Sequence, residues 1–114
     1  MFDFQKLTVY HKAKSFHLEM KEFIYTKKMD SITKDQLIRA SFSIPLNIAE
    51  GSGRFSKRDR RNFFVIARSS VFECVAILDI LRDTSAVSDE QYDLFADHAD
   101  ELSRMLFAMI RNLN

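Results

Sequence analysis

Apolar residues recur at helical spacing along nearly the whole chain. In the first quarter, Ala13, Phe16, Met20, Phe23 and Ile24 fall on one stripe. In the last quarter, Tyr92, Phe95, Ala99, Leu102, Leu106, Met109 and Leu113 step by three and four throughout. Asp93, Asp97, Asp100, Glu101, Arg104 and Arg111 occupy the opposite side, as on a helix with one solvated face. Capping signals divide the chain. Thr33-Lys-Asp-Gln36 reads as a capping box with Ile32 and Leu37 as its staple, and Ser88-Asp-Glu-Gln91 as another with Val87 and Tyr92. Ser56-Lys-Arg-Asp59 opens a helix with an acid in its first turn. A helix precedes the first box, with Asp3 or Thr8 placed to cap it. The reading predicts helices over about 5–28, 33–51, 56–84 and 88–112. Connections this short favour antiparallel neighbours, hence an all-α, up-down-up-down four-helix bundle in one domain.

Two helices depart from the simple pattern. Residues 63–81 are apolar around nearly their whole circumference, interrupted by Arg68, Ser69, Ser70, Glu73 and Asp79. A helix apolar on every side is covered on every side. Either it is central in an irregular bundle, or a second subunit covers what three partner helices leave open, and homo-oligomerisation is the expectation. The second helix carries a polar seam, Gln36, Ala40, Ser43, Asn47, Glu50 and Arg54, at steps of four and three. Spacing leaves open whether it is solvated or a buried network. Pro45 lies mid-helix, where it frees the carbonyl of Ser41, with Ser41 or Ser43 placed to satisfy it.

Composition narrows the class. Of 114 residues only Pro45, Gly51 and Gly53 are Gly or Pro. All-β folds need turn signals every 8–12 residues or so, and doubly wound folds need repeated βα turns, so both are excluded. Gly51 fits the left-handed position that ends a helix, and Gly53 a tight reversal before Ser56. The single Cys74 forbids an internal disulfide and fits a reducing compartment. Met1–Lys6 lacks a charged region followed by an apolar one, and no uncharged apolar run reaches membrane-spanning length. A cytoplasmic location without membrane association is expected.

The segment Gln36 to Ser56 holds Asn47-Ile-Ala-Glu50-Gly51-x-Gly53-Arg54-x-Ser56, followed by Phe63, Ile66-Ala67-Arg68, Ser70 and Glu73. With Phe4-x-x-Leu7-x-Val9-x-x-x-Ala13 at the start, this resembles the small four-helix-bundle proteins first noticed as reading frames within intervening sequences of bacterial 23S rRNA genes. Tyr10 is displaced from the family's aromatic position in the first helix, and Ser69 stands where many members have glycine. The resemblance implies a left-handed bundle that assembles into a ring-like homopentamer. It also implies distant similarity to the accessory protein of diversity-generating retroelements, which binds nucleic acid and a reverse transcriptase. It supplies no catalytic residue.

Charge is segregated although the formal net charge is +1. Residues 51–72 carry net +5, with Arg54, Lys57, Arg58, Arg60 and Arg61 as candidate nucleic-acid contacts. Residues 73–101 carry net −8. The basic turn, repeated around a ring, would bind phosphate. Alternatively it docks on the acidic helix of the next subunit or on a protein partner, or both runs are plain solvated charge. Phe55 is the one aromatic interleaved with the basic cluster. Arg39, Asn47, Glu50 and Glu73 are candidates for a structural polar network that specifies the oligomer. An enzyme centred on Asn47, Glu50 and Arg54 would need a second acid, and Glu73 is the one the motif offers. His11, His17 and His98 are scattered, with no metal-ligand spacing, so neither a metal nor a cofactor is expected. His17 reads as a core or interface residue, and Cys74 as a small core residue.

Overall fold

The computed structural model describes residues 1–113. It is built from four helices: α1 (Thr8–Tyr25), α2 (Ser31–Ser52), α3 (Lys57–Asp83) and α4 (Asp89–Arg111), preceded by a 3-10 turn at Asp3–Lys6. Each helix packs on its neighbour in sequence, and α4 returns to α1, closing a four-helix bundle. No diagonal pair meets among the described residues. The body measures 44 × 24 × 21 Å. The long axis is set by α3, whose 27 residues span about 40 Å at 1.5 Å per residue.

Local chemistry explains the helix ends. Ser56 accepts a hydrogen bond from the Asp59 N–H at 3.0 Å, and Ser88 one from the Gln91 N–H at 3.1 Å, as the capping signals predict. Val87 is buried beneath the second cap. The start of α2 differs from expectation. Asp30, not Thr33, is the N-cap; its carboxylate accepts from the Thr33 N–H at 2.8 Å and the Thr33 hydroxyl at 2.7 Å. Ile32 is exposed and forms no staple. Thr8 is the first residue of α1, and Leu7 at its N-cap offers no side-chain bond. At the end of α3, Ser85 takes the left-handed conformation, φ 65°, and Leu81 O accepts the N–H groups of Ala86 and Val87.

Gly51 is a correction to the sequence reading. It lies inside α2, and no glycine has a positive φ. What it supplies is space. A Cβ at Gly51 would lie 2.7 Å from Phe64 Cε1 and 3.0 Å from Phe63 Cβ, so the missing side chain lets α2 approach α3. Gly53 caps the helix at φ −88°, with nothing crowding it.

The core is one cluster drawn from all four helices. Ala13, Phe16, Met20, Phe23 and Ile24 of α1 are buried, facing Leu37, Ile44 and Ile48 of α2 and Phe95, Ala99, Leu102 and Leu106 of α4. Pro45 is buried within an uninterrupted α2. Neither nearby hydroxyl bonds the Ser41 carbonyl: Ser41 Oγ donates to Ile38 O at 3.2 Å, and Ser43 Oγ pairs with Ser70 Oγ at 2.9 Å. Cys74 is fully buried, and that burial, with Glu73 beside it, pushes its thiol up to about 12, so it stays protonated. α3 is not central. It meets α2 and α4 and leaves Val65, Ile66, Phe72 and Ile80 exposed on its outer side. No helix among the described residues is long and apolar enough to cross a membrane.

His17 on α1 bridges to α2. Its Nδ1 lies 2.8 Å from Ser41 Oγ, and its ring stacks on Phe42 with centroids 4.9 Å apart. Because the Ser41 hydroxyl donates to Ile38, the imidazole Nδ1–H is the donor to Ser41. Burial, reinforced by the Lys21 charge, holds the imidazole below its ordinary value. The folded state therefore takes up a proton less readily than the unfolded chain. This stability is fully present above a pH of about 6.5 and is lost as pH falls through the lower folded-state value. Urea unfolding at stepped pH between 7.5 and 5 should show that loss. A His17→Gln variant should show less of it, and an identical pH profile would contradict the assignment.

Candidate nucleic-acid interface

The basic turn forms where α2 ends and α3 begins. The Gly53 N–H donates to Glu50 O and the Arg54 N–H to Gly51 O, both at 3.2 Å, which turns the chain over the end of α2. Arg60 Nε donates to Arg54 O at 2.7 Å and ties the turn to the first turn of α3. Ser56 starts α3, so its backbone N–H groups add partial positive charge at the same end.

The five candidate cations separate into three kinds. Lys57 and Arg58 are exposed and meet no carboxylate among the described residues, and neither do the terminal nitrogens of Arg60. Arg54 is exposed but engaged: its Nη2 lies 3.1 Å from Glu50 Oε2, and its guanidinium sits 4.7 Å from the Phe63 ring. Arg61 is half-buried and turned toward α4, where Nη2 donates to Leu113 O at 2.8 Å. Its Nε is buried without a partner among the described residues. Phe55 stands fully exposed at the tip.

The acidic run starts midway along α3 at Glu73, returns midway along α4 at Glu101, and is densest at the other end of the bundle. Asp89, Glu90 and Asp93 open α4 just after α3 has ended, about 40 Å from Lys57 by the length of α3. At physiological salt the screening length is about 8 Å, so the two ends do not neutralise each other. The small net charge conceals two separate electrostatic surfaces.

The polar-network candidates do not assemble within one chain. Asn47 is half-buried and donates from Nδ2 to Ser43 O at 2.8 Å and Ser43 Oγ at 2.9 Å, continuing to Ser70 on α3. Arg39, Glu50 and Glu73 are exposed, and none bonds to Asn47. The middle of the seam thus reaches α3, while its ends face solvent. Nor does Glu73 share a hydrogen bond or a cavity with Glu50 among the described residues. The acid that shares an open cavity of about 740 Å³ with Glu50 and Arg54 is Asp59.

Tertiary packing adds residues that the sequence did not single out. Arg68 on α3 donates from Nε to Ser103 O and Oγ, both at 3.2 Å, and lies 4.8 Å from the Phe72 ring and 5.3 Å from the Phe107 ring. Arg111 approaches Phe107 from α4 at 5.8 Å. These groups line a cavity of about 360 Å³ beside the basic turn, with Val65, Ser69 and Ile110. Ser69 is exposed there, so its small size serves the groove and not a contact within the bundle. Only the α3–α4 pairing juxtaposes these residues; Phe72 and Phe107 are 35 positions apart. No cluster of His, Cys, Asp and Glu suited to a metal ion occurs among the described residues.

Comparison with known proteins places this geometry. One solved structure, described as a protein with unknown function from the S23 ribosomal protein family of Bacteroides thetaiotaomicron, superposes with a TM-score of 0.85. It is 24% identical, over 90% of this chain and 98% of that one, a likeness of fold. No curated protein matches the sequence. Residues 5–108 match the model of the 23S rRNA-intervening sequence proteins, and the chain belongs to that family.

Proposed function

We propose that this single-domain chain is a non-enzymatic, homo-oligomeric protein of the cytoplasm, pentameric by its resemblance, whose basic turn contacts the phosphates of RNA or DNA. The observation that carries the reading is the exposure of Lys57, Arg58 and Arg60, without carboxylate partners among the described residues and remote from the acidic end. Phosphate contacts dominate nucleic-acid affinity, and several copies of one weak patch act together. The family's name ties its relatives to rRNA sequences. The non-enzymatic part rests on the Glu50–Asp59 cavity, where every lining side chain but the half-buried Ala49 is exposed. Catalytic acids and nucleophiles work best where a site shields them from water, and this cavity is open. No cofactor is part of the reading.

A second reading is a protein-interaction scaffold that binds no nucleic acid. The exposed Phe72 and Phe107 beside Arg68 favour it, since an aromatic and arginine-rich groove suits a protein partner. Gel shifts of the wild-type protein with a structured RNA and a single-stranded DNA, across 50–300 mM salt, separate the two. The proposal expects binding that weakens steeply as salt rises. No shift at any salt concentration would leave the scaffold.

A further inference from the structure

The groove between α3 and α4 extends beyond the cavity at Arg68. A second cavity of about 560 Å³ adjoins it at Phe72 and continues toward Asp79, Asp97 and Asp100. Its floor is made of small residues, among them Ala76, Ala96, Ala99 and Ser103. Small side chains allow the backbone of another helix to approach closely. From Arg68 to Asp79 the groove runs eleven positions along α3, about 16 Å. It is basic at the end near the turn, where Arg68 and Arg111 stand, and acidic at the other, where Arg82 pairs with Asp79 and Arg104 with Asp100 while Asp97 has no ion pair among the described residues.

The outward side of α2 carries a matching ridge. Asp35, Arg39, Phe42, Leu46 and Glu50 are all exposed and step by four, three, four and four, so they share one stripe. Phe42 and Leu46 are each 48% exposed, and His17 stacks on Phe42 and holds its ring in place. Arg39 and Glu50 flank these two apolar residues and are themselves eleven positions apart. Between Arg39 and Glu50, the stretch that matches the groove in length, the charge order along α2 is basic then acidic, with Asp35 one turn outside it; along α3 the order is also basic then acidic. Antiparallel docking therefore sets Arg39 at the acidic end of the groove and Glu50 at the basic end, with Phe42 and Leu46 over the apolar middle.

We infer that the α3–α4 groove receives helix α2 of a second copy of this chain, antiparallel to α3. The inference rests on the homo-oligomeric part of the proposed function and not on its nucleic-acid part. The other helices fit less well. The outer side of α4 around its exposed Leu94 carries Asp93, Asp97 and Glu101, which repel the acidic end. The outer side of α1 has Lys14 and Glu22 four residues either side of Leu18, but Lys21 adds a second cation beside Glu22, and Leu18 alone stands where α2 offers both Phe42 and Leu46 to the apolar middle. Ridge and groove share no residue, so the contact is head-to-tail. Such contacts close into a ring when the rotation permits. Arg39 then gains a partner between subunits, Glu50 gains one beside the Arg54 it already meets within the chain, and Lys57, Arg58 and Arg60 stay outside the seam.

The test measures native mass by sedimentation of the full chain. Arg39→Glu and Asp97→Arg each change an exposed side chain that makes no ion pair among the described residues, so the fold survives, as helical circular dichroism will check. Each single variant should associate about tenfold or more weakly, because like charges then face each other. The combined variant should associate more tightly than either single one. Wild-type mass in both single variants, or a combined variant no tighter than the weaker of them, overturns the docking and leaves oligomerisation standing. A monomeric wild-type protein overturns both.

Discussion

A Gly51→Val variant should lose about 3 kcal/mol of stability, at the upper end of what overpacking a close contact costs. The reason is distance. Even the first added carbon would lie 2.7 Å from Phe64 Cε1 and 3.0 Å from both Phe64 Cδ1 and Phe63 Cβ. Phe64 is buried in the core, so its ring has no solvent to swing into. Phe63 Cβ is fixed to the α3 backbone. Relief therefore requires α2 and α3 to separate, which loosens the most extensive helix pair of the bundle. Alanine at the same position sets two effects against each other. Helix propensity favours it by about 1 kcal/mol, and the clash opposes it by about 1–3 kcal/mol. The clash should prevail, and Gly51→Ala should lower the urea midpoint. Gly53→Ala is the control: its new carbon would find backbone oxygens at 3.7 and 3.9 Å, an ordinary contact, at a permissive φ of −88°. It should unfold like the wild type. A raised midpoint for Gly51→Ala would show that the position behaves as an ordinary helical glycine.

Reversing Lys57, Arg58 and Arg60 together to Glu should reduce affinity for a structured RNA on the order of 100-fold near 100 mM salt. Each subunit loses three cations and gains three anions, and assembly multiplies the change. The substitutions are confined to exposed side chains. Only the Arg60 bond to Arg54 O is given up, and it lies at the surface. Fold and native mass should therefore be unchanged. Arg61 is left intact because it holds the end of α4 through Leu113 O; changing it would confuse binding with stability. Filter binding beside circular dichroism checks both halves. Full affinity in a correctly folded triple variant would place the phosphate contacts elsewhere.

The helices are legible because their signals are local. Ser56 and Ser88 cap as their spacing implies, and the stripe from Tyr92 to Leu106 faces inward. The errors also have local causes. Thr33 reads as a cap, but Asp30 three residues earlier captures its N–H first. Ser85 adopts a left-handed turn without the Gly or Asn that advertises one. Gly51 exposes a deeper limit. A glycine that turns the chain and a glycine that admits a neighbour look alike in sequence, and here the neighbours are Phe63 and Phe64 on another helix. The site is legible in part. The basic cluster shows as composition, but which cations are free depends on Leu113 and Phe63, which only the folded chain brings near. The same holds for Arg68 between Phe72 and Phe107. The polar seam reads as continuous because helical spacing is the same along it, yet its hydrogen-bonded link to α3 runs through Ser43 and Asn47 at the middle, while Arg54 at its end lies over the Phe63 ring.

In the proposed function the exposed cations of the α2–α3 turn touch phosphates. Neutralising them tests this without adding repulsion. In a Lys57→Gln, Arg58→Gln, Arg60→Gln variant, the slope of log affinity against log salt should be shallower than in the wild type by at least about 2, because each lost phosphate contact removes about 0.7–0.9. An unchanged slope would mean that these residues do not meet the nucleic acid, and would contradict the account.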